Sequence, residues 1–386
     1  MAEQELNVRP VIDWLDRGAA PAREPHDVLL HLAHRMVDVG IALHRVAVFV
    51  RTLHPNVVGR AFIWNAASDK VEVTSAEYGI QDTEQFLQSP VRVVYTQHTE
   101  VRRRICDPAC AMDFPILVDL KKEGVTDFLA LPLRYLNDDV HAASFATRQP
   151  GGFSEAQVAA LAALMPPFSR VAEIYGLRRL ARNLLDAYLG RQAGEKVLAG
   201  QIRRGDGEEI RAVIWFCDLR ESTPLADSMS REAFLALLNE YFECVLGPVQ
   251  EREGEILRFI GDAALAIFPI GNDPAAVACA KTLAAAKESI ARMEKLNANR
   301  ATPLRFGIGL HHGLVLYGNI GTPTRIEFTV IGAAANEAAR IESLCKTLQV
   351  NLLISEHVAR HLAVPPRSLG KHALRGVGQP VELFTL

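Results

Sequence analysis

The chain has 386 residues, 49% of them apolar and 23% charged, with a formal net charge of −3 and a pI near 6.5. That balance gives a globular protein with material for two cores, and it excludes a global basic field that would draw the chain to nucleic acid or anionic lipid. The opening MAEQELNVRP lacks a cationic segment followed by an apolar core, and no stretch reaches the roughly 18 uninterrupted apolar residues of a spanning helix, so the expectation is a cytoplasmic protein without membrane insertion whose target is a small soluble ligand.

From Pro25 to Pro150 the pattern predicts a helix over His26–Leu43, strands RVAVFVRTL, GRAFIWNA and KVEV, a variable middle, and then strands DFLALPLRY and VHAASFATR. This mixed order, with helices flanking an antiparallel sheet, resembles a GAF- or PAS-type sensory module in pattern rather than through any one motif. Residues 1–153 are therefore expected to be an N-terminal regulatory domain with an unknown small ligand. His26, His31 and His34 recur on one predicted helix, but their spacing reads as a solvated face rather than a ligand set. Cys106 and Cys110 are the only close pair of cysteines and lack nearby His or Cys partners, so CDPAC reads as a loop. Cys217, Cys244, Cys279 and Cys345 lie inside apolar runs, where a reduced cysteine behaves as a small hydrophobe.

Residues 154–209 form a connecting segment. In GGFSEAQ, Ser154 can cap a helix and Gln157 can close the capping box. Pro166 and Pro167 are expected to kink or interrupt that helix. Beyond them Leu177, Leu180, Leu184 and Tyr188 recur at helical spacing, with Arg178, Arg179 and Arg182 on the other face. The stripe suits either pairing with the same helix of a second chain or packing on its own domain. RRGDGEE at 203–209 then reads as a turn between domains.

From Ile210 the pattern is a strand (IRAVIWFCD), a helix over Arg231–Gly254, a hairpin (EILRFIGDAALAIF) and an Ala-rich helix over Pro274–Leu296. Strands LRFGIGLHHG and RIEFTVIG, a helix over Ala333–Leu348 and further strand pieces follow. Strands separated by helices lying on one face predict an α+β sandwich close to a ferredoxin-like βαββαβ core. Asp218 ends the first strand, which by itself says little. Asp262, in the Gly-containing turn of RFIGDAAL, can project beside it, and two hard oxygen ligands then meet over Mg²⁺ or Mn²⁺. Between Phe216 and Thr223 the chain turns into a helix, whose free N–H groups are expected to face the same anion. The adjacent His311 and His312 point to opposite sides of a strand and cannot act as a pair.

At this point the chain resembles the class III nucleotidyl cyclases over about Ile210–Leu386, through FCDLREST, GEILRFIGDAALAIF, GIGLHHGLVLYGNIG, RIEFTVIGAAANEAARIE and LGKHALRGVGQPVELFTL in that order. The resemblance implies a homodimer in which two catalytic domains pair head to tail. One chain gives two metal-binding acids to each site, and the other gives a base pocket, an Asn and an Arg. Asp218 and Asp262 match the acids, which would hold two Mg²⁺ or Mn²⁺ ions for in-line attack of the ribose 3′-hydroxyl on the α-phosphate. Asn336 and Arg340, at i and i+4, match the ribose-orienting Asn and the transition-state Arg; without the motif, Arg340 would read as a surface ion pair with Glu337 or Glu342. Phe216, Leu219 and Thr223 fall in the phosphate-binding segment, and Arg375 in LRGV aligns with a basic residue that touches the phosphates.

Arg258 and Thr329 stand at the base-reading positions. The Thr329 hydroxyl can accept from the adenine amino group. Arg258 departs from the usual Lys: its guanidinium donates to adenine N1 and cannot accept from guanine N1, though it can donate to guanine O6. Ala333 stands where many members carry Asp. The activity implied is conversion of ATP to 3′,5′-cyclic AMP and pyrophosphate with reduced base discrimination, under control of the N-terminal domain. A guanylate cyclase and a catalytically retired nucleotide-binding module are the alternatives.

Overall fold

The computed structural model describes residues 6–386; the first five, part of the stretch read above for a targeting segment, lie outside the described residues. The protein is α+β and divides into two compact units, Met1–Leu184 and Leu185–Leu386. Among the described residues no helix is long and apolar enough to cross a membrane.

In the first unit, α1 (Arg9–Asp16) and α2 (Pro25–Asp38) precede β1 (Arg45–Arg51), β2 (Gly59–Asn65) and β3 (Lys70–Ala76). The variable middle folds as α3 (Glu84–Leu87), α4 (Pro90–Gln97), β4 (Val101–Arg103) and α5 (Pro115–Lys122). β5 (Asp127–Arg134), β6 (Val140–Thr147) and, as far as Leu184, the long α6 (Glu155–Leu189) complete the unit. The strands form one antiparallel sheet in the order β3-β2-β1-β6-β5-β4. Strand alternation divides its side chains between two cores. Leu129, Leu131 and Leu133 pack with α1, α2 and α6, whereas Phe128 and Ala130 face the core built with α4 and α5.

Two helices of this unit differ from expectation. Helix α2 stops at Asp38 rather than Leu43, because Gly40 takes φ 95° and the Ile41 amide bonds back to the Met36 carbonyl at 3.0 Å, a glycine-based helix stop. Helix α6 runs through Pro166 and Pro167 without a break. The prolines remove the donors for the carbonyls of Ala162 and Ala163, but both alanines are exposed and water can take their place. The buried stripe Leu161, Leu164, Met165, Phe168 and Val171 keeps the helix continuous across the gap. Its start is the expected capping box: the Ser154 amide donates to Gln157 Oε1 at 3.0 Å and the Gln157 amide to Ser154 Oγ at 3.2 Å.

The second unit contains α7 (Arg191–Leu198), β7 (Gly207–Leu219), α8 (Ser222–Asp227), α9 (Arg231–Glu251), β8 (Glu255–Ile260) and β9 (Ala263–Ile270). They are followed by α10 (Ala275–Asn297), β10 (Phe306–Thr322), β11 (Arg325–Ile331), α11 (Ala333–Leu348) and β12 (Leu352–Ser355). α12 (Glu356–Ala359), β13 (Arg367–His372) and β14 (Val381–Thr385) end the chain. The sheet order is β13-β14-β12-β10-β7-β9-β8, with β11 paired to β10. Within it the succession β7-α9-β8-β9-α10-β10 gives the antiparallel spatial order β10-β7-β9-β8 of a ferredoxin-like core.

Helices cover both faces of this sheet, not one as the sequence pattern predicts. Val213, Trp215 and Cys217 pack with α9 and α10, while Ala212 and Ile214 pack with residues of α7 and α11. The consecutive apolar residues of AVIWFC suit a strand buried on both sides. Close contact between α11 and β10 depends on glycine: a Cβ at Gly309 would stand 2.5 Å from the Ala338 carbonyl, and one at Gly307 would strike the Glu342 carboxylate. The helix carrying Asn336 and Arg340 therefore lies directly on the strand that pairs with Asp218.

Candidate active site

Asp218 is the penultimate residue of β7, in register with Gly307 of β10 on one side and Ala263 of β9 on the other. Asp262 occupies the turn before β9, where Gly261 takes φ 66° and the Leu219 amide donates to the Asp262 carbonyl at 3.3 Å. Sheet pairing thus brings together two acids far apart in the chain. Burial pushes the Asp218 carboxyl up to about 6, and the Asp262 carboxyl adds to this through its charge and a side-chain hydrogen bond.

A third acid joins them. Glu342 on α11 is buried, and burial followed by the charge of Asp218 pushes it up to about 7, with Asp262 contributing further. Sequence reasoning missed it except as an ion-pair partner for Arg340, since only the glycine at 307 allows α11 to bring it to the strand. Arg220 is the cation that acts on both Asp218 and Glu342, and its Nη2 donates to the Val350 carbonyl at 2.6 Å. Among the described residues no three His, Cys, Asp or Glu side chains form a ready metal cage. The pair Asp218 and Asp262 fits a hard divalent cation that takes its remaining ligands from substrate oxygens and water, because such an ion offsets the mutual repulsion of the carboxylates.

The segment expected to offer free amides differs from that reading. Phe216 lies inside the β7 ladder, in register with Gly309 and Leu265, and the Leu219 amide is taken by Asp262. The strand continues to Leu219 because neighbours on both sides extend its hydrogen bonding, so neither amide is a free donor. The turn follows only at Glu221, with φ 60°, and leaves Thr223 exposed near the start of α8.

Arg258 and Thr329, the positions expected to read the base, lie on β8 and β11, two strands that pack side by side. Arg258 stands at a register shift in β8, with Nε 3.1 Å from Glu327 Oε1 but not aligned with it as a hydrogen bond. Thr329, two residues beyond Glu327 on β11, is 3% exposed, and its hydroxyl has no hydrogen-bond partner among the described residues. A donor and a buried acceptor therefore lie on neighbouring strands, together with a carboxylate that the sequence reading did not include.

On α11, Asn336 is exposed and Arg340 half-buried. Arg340 pairs with neither Glu337 nor Glu342: Glu337 Oε2 lies 3.3 Å from His311 Nε2, and Glu342 turns toward the acid pair. The Arg340 guanidinium rests against the turn at Gly376, where Nη1 would be 3.5 Å from a Cβ, beside the exposed Arg375. His311 is buried and bonded through Nδ1 to Ser355 Oγ at 3.1 Å, whereas the ring of His312 meets His361, so the two rings do not act together.

The sequence model described as adenylate and guanylate cyclase catalytic domain matches residues 208–385. The chain is 36% identical over 166 residues to an adenylate cyclase of Anabaena cylindrica, a match covering 42% of this chain and 33% of that one. It is 35% identical over 224 residues to an uncharacterized protein of Mycobacterium tuberculosis, covering 55% of this chain and 40% of the relative. The chain thus spans between a third and two fifths of the length of these curated relatives. The crystal structure of the adenylyl cyclase CyaB from P. aeruginosa superposes with a TM-score of 0.40 at 26% identity, over 46% of this chain and 94% of that one. Residues 208–385 belong to the adenylate and guanylate cyclase catalytic domain family.

Proposed function

We propose that the protein is a homodimeric adenylate cyclase that converts ATP to 3′,5′-cyclic AMP and pyrophosphate, with Asp218 and Asp262 holding Mg²⁺ or Mn²⁺. The observation that carries this reading is the acid pair itself, in which burial and then the neighbouring Asp262 raise the Asp218 carboxyl at the end of the central strand. When bound there, the metal supplies Lewis-acid activation of the ribose 3′-hydroxyl and charge screening of the triphosphate. Arg340, free of any ion pair among the described residues, offers its guanidinium to the oxygens around the α-phosphorus, where charge gathers in the transition state. Asn336, one turn earlier on the same helix face, orients the ribose, and Arg375 beside Arg340 meets the phosphates. Thr329 accepts from the adenine amino group while Arg258 donates to N1.

Two observations support a dimer with shared sites. The charges that act on Asp218 come from Asp262 and Arg220, whereas Arg340 is turned to Gly376 in its own chain. The β10–β11 ribbon also exposes Leu314, Leu316, Ile320, Ile326 and Ile331, apolar surface that a second catalytic unit would cover. Leu177, Leu184 and Tyr188 of α6 are exposed as well and suit a second contact between chains, through which the N-terminal unit would set the activity.

A guanylate cyclase is the second reading, favoured by Glu327, whose carboxylate beside Arg258 can accept from guanine N1 and its amino group. The test is product formation by the purified chain given ATP or GTP with Mg²⁺ and with Mn²⁺. Cyclic AMP from ATP at the higher kcat/KM is the expected result. Equal or faster turnover of GTP overturns the adenylate assignment, and absence of both products overturns the enzymatic one.

A further inference from the structure

The first unit has an open cavity of about 450 Å³ between the sheet and α6, within the size range of small-molecule sites. Its apolar wall includes Val48 and Val50 of β1, Phe62 of β2 and Phe168 of α6. Arg60 of β2 and Arg179 of α6 also line it. These two guanidiniums are close enough that the charge of Arg179, after burial, disfavours the charged form of Arg60. Neither makes an ion pair among the described residues, and the Nε of each is buried without a hydrogen-bond partner.

The acids on the cavity wall do not supply the missing partner. Glu173 accepts from the Leu136 amide through both oxygens, at 3.2 and 3.0 Å, and Asp139 accepts from Asn137 Nδ2 at 2.7 Å. His141, also on the wall, accepts the Arg51 amide at Nδ1 over 3.1 Å, so its neutral ring carries hydrogen on Nε2 as a further donor. Buried donors of like charge with no acceptor are costly unless an anion meets them. An uncharged apolar ligand would leave them unmatched, and a cation would be repelled.

We propose that this cavity binds an amphipathic organic anion, its carboxylate or phosphate monoester held by Arg60 and Arg179 and its apolar body against Val48, Val50, Phe62 and Phe168. The site lies within the N-terminal unit and does not rest on the cyclase reading. Guanidinium forks suit either anionic group, and the aromatic side chains favour a flat or branched body.

The test is equilibrium binding to the full chain of three probes sharing one body: naphthoate, naphthyl phosphate and naphthalene-methanol. At least one anion is expected to bind about tenfold or more tightly than the alcohol, and the better anion identifies the natural head group. Arg60→Gln and Arg179→Gln should each erase that margin while leaving the alcohol's affinity unchanged. Ala172→Trp, which fills the cavity, should abolish binding of all three. Equal affinity for anion and alcohol in the unaltered chain overturns the proposal whether or not a variant folds. Survival of the margin in both arginine variants, binding unaffected by Ala172→Trp, or no binding of either anion at millimolar concentration also overturns it.

Discussion

Asp218 illustrates how single residues depend on the strands that carry them. Its position at a strand end is legible in the sequence, but its environment comes from burial and from Asp262, and it in turn acts on Glu342, both of which other parts of the chain bring to it. Glu327 is a similar case: pairing of β11 with β10 and its approach to β8 set the carboxylate beside Arg258, which no local pattern announces. Replacing Glu327 with Ala should lower kcat/KM for GTP by about tenfold, the value of a lost charged hydrogen bond, and change that for ATP much less. Parallel losses for both nucleotides would show that Glu327 only supports Arg258. His141 gives a pH dependence at the same scale. Burial pushes its imidazole down to about 4 from an ordinary 6.5, so the unfolded chain takes up a proton that the folded one refuses. Stability of the first unit should therefore fall as pH drops from about 6.5 toward 4, and His141→Gln should flatten that decline. Thermal unfolding of both proteins across that range is the check, and an unchanged slope would contradict the assignment.

At the scale of elements, the catalytic unit follows its sequence pattern closely. Helix α11 has the predicted limits Ala333–Leu348, because apolar positions at helical spacing lie between Gly332 and a left-handed Gln349. The fold of the first unit's middle is not legible in the same way. Residues 84–122 contain helices of four to eight residues and a three-residue strand, too short for a periodic signal and held by capping from Thr83 and Ser89 and by packing. Continuous α6 shows the opposite limit, where a buried stripe outweighs two prolines that local rules count as breakers. The contact of α11 with β10 is the element-scale feature on which the site depends. Gly309→Ala should destabilise the protein by about 1–3 kcal/mol through overpacking and reduce turnover by more than the stability loss explains, as Asn336 and Arg340 shift. Normal activity with lowered stability would mean that the helix can retreat without moving those side chains.

At the scale of the molecule, one catalytic unit holds the acids and the arginine but does not join them. Asp218 and Asp262 sit at the end of the central strand, Arg340 faces Gly376, and the apolar ribbon between Leu314 and Ile331 is uncovered. All three features fit a site completed by a second copy of the chain, with the exposed ribbon as the surface that brings the copy in. The most direct test of that account co-expresses Asp218→Ala and Arg340→Ala chains and measures cyclic AMP formed from ATP, alongside each variant alone. Each variant alone should be near background, and the mixture should recover about a quarter of normal output, since half of randomly assorted dimers carry one intact site of two. No recovery from the mixture, or near-normal activity in either variant alone, would contradict the shared site.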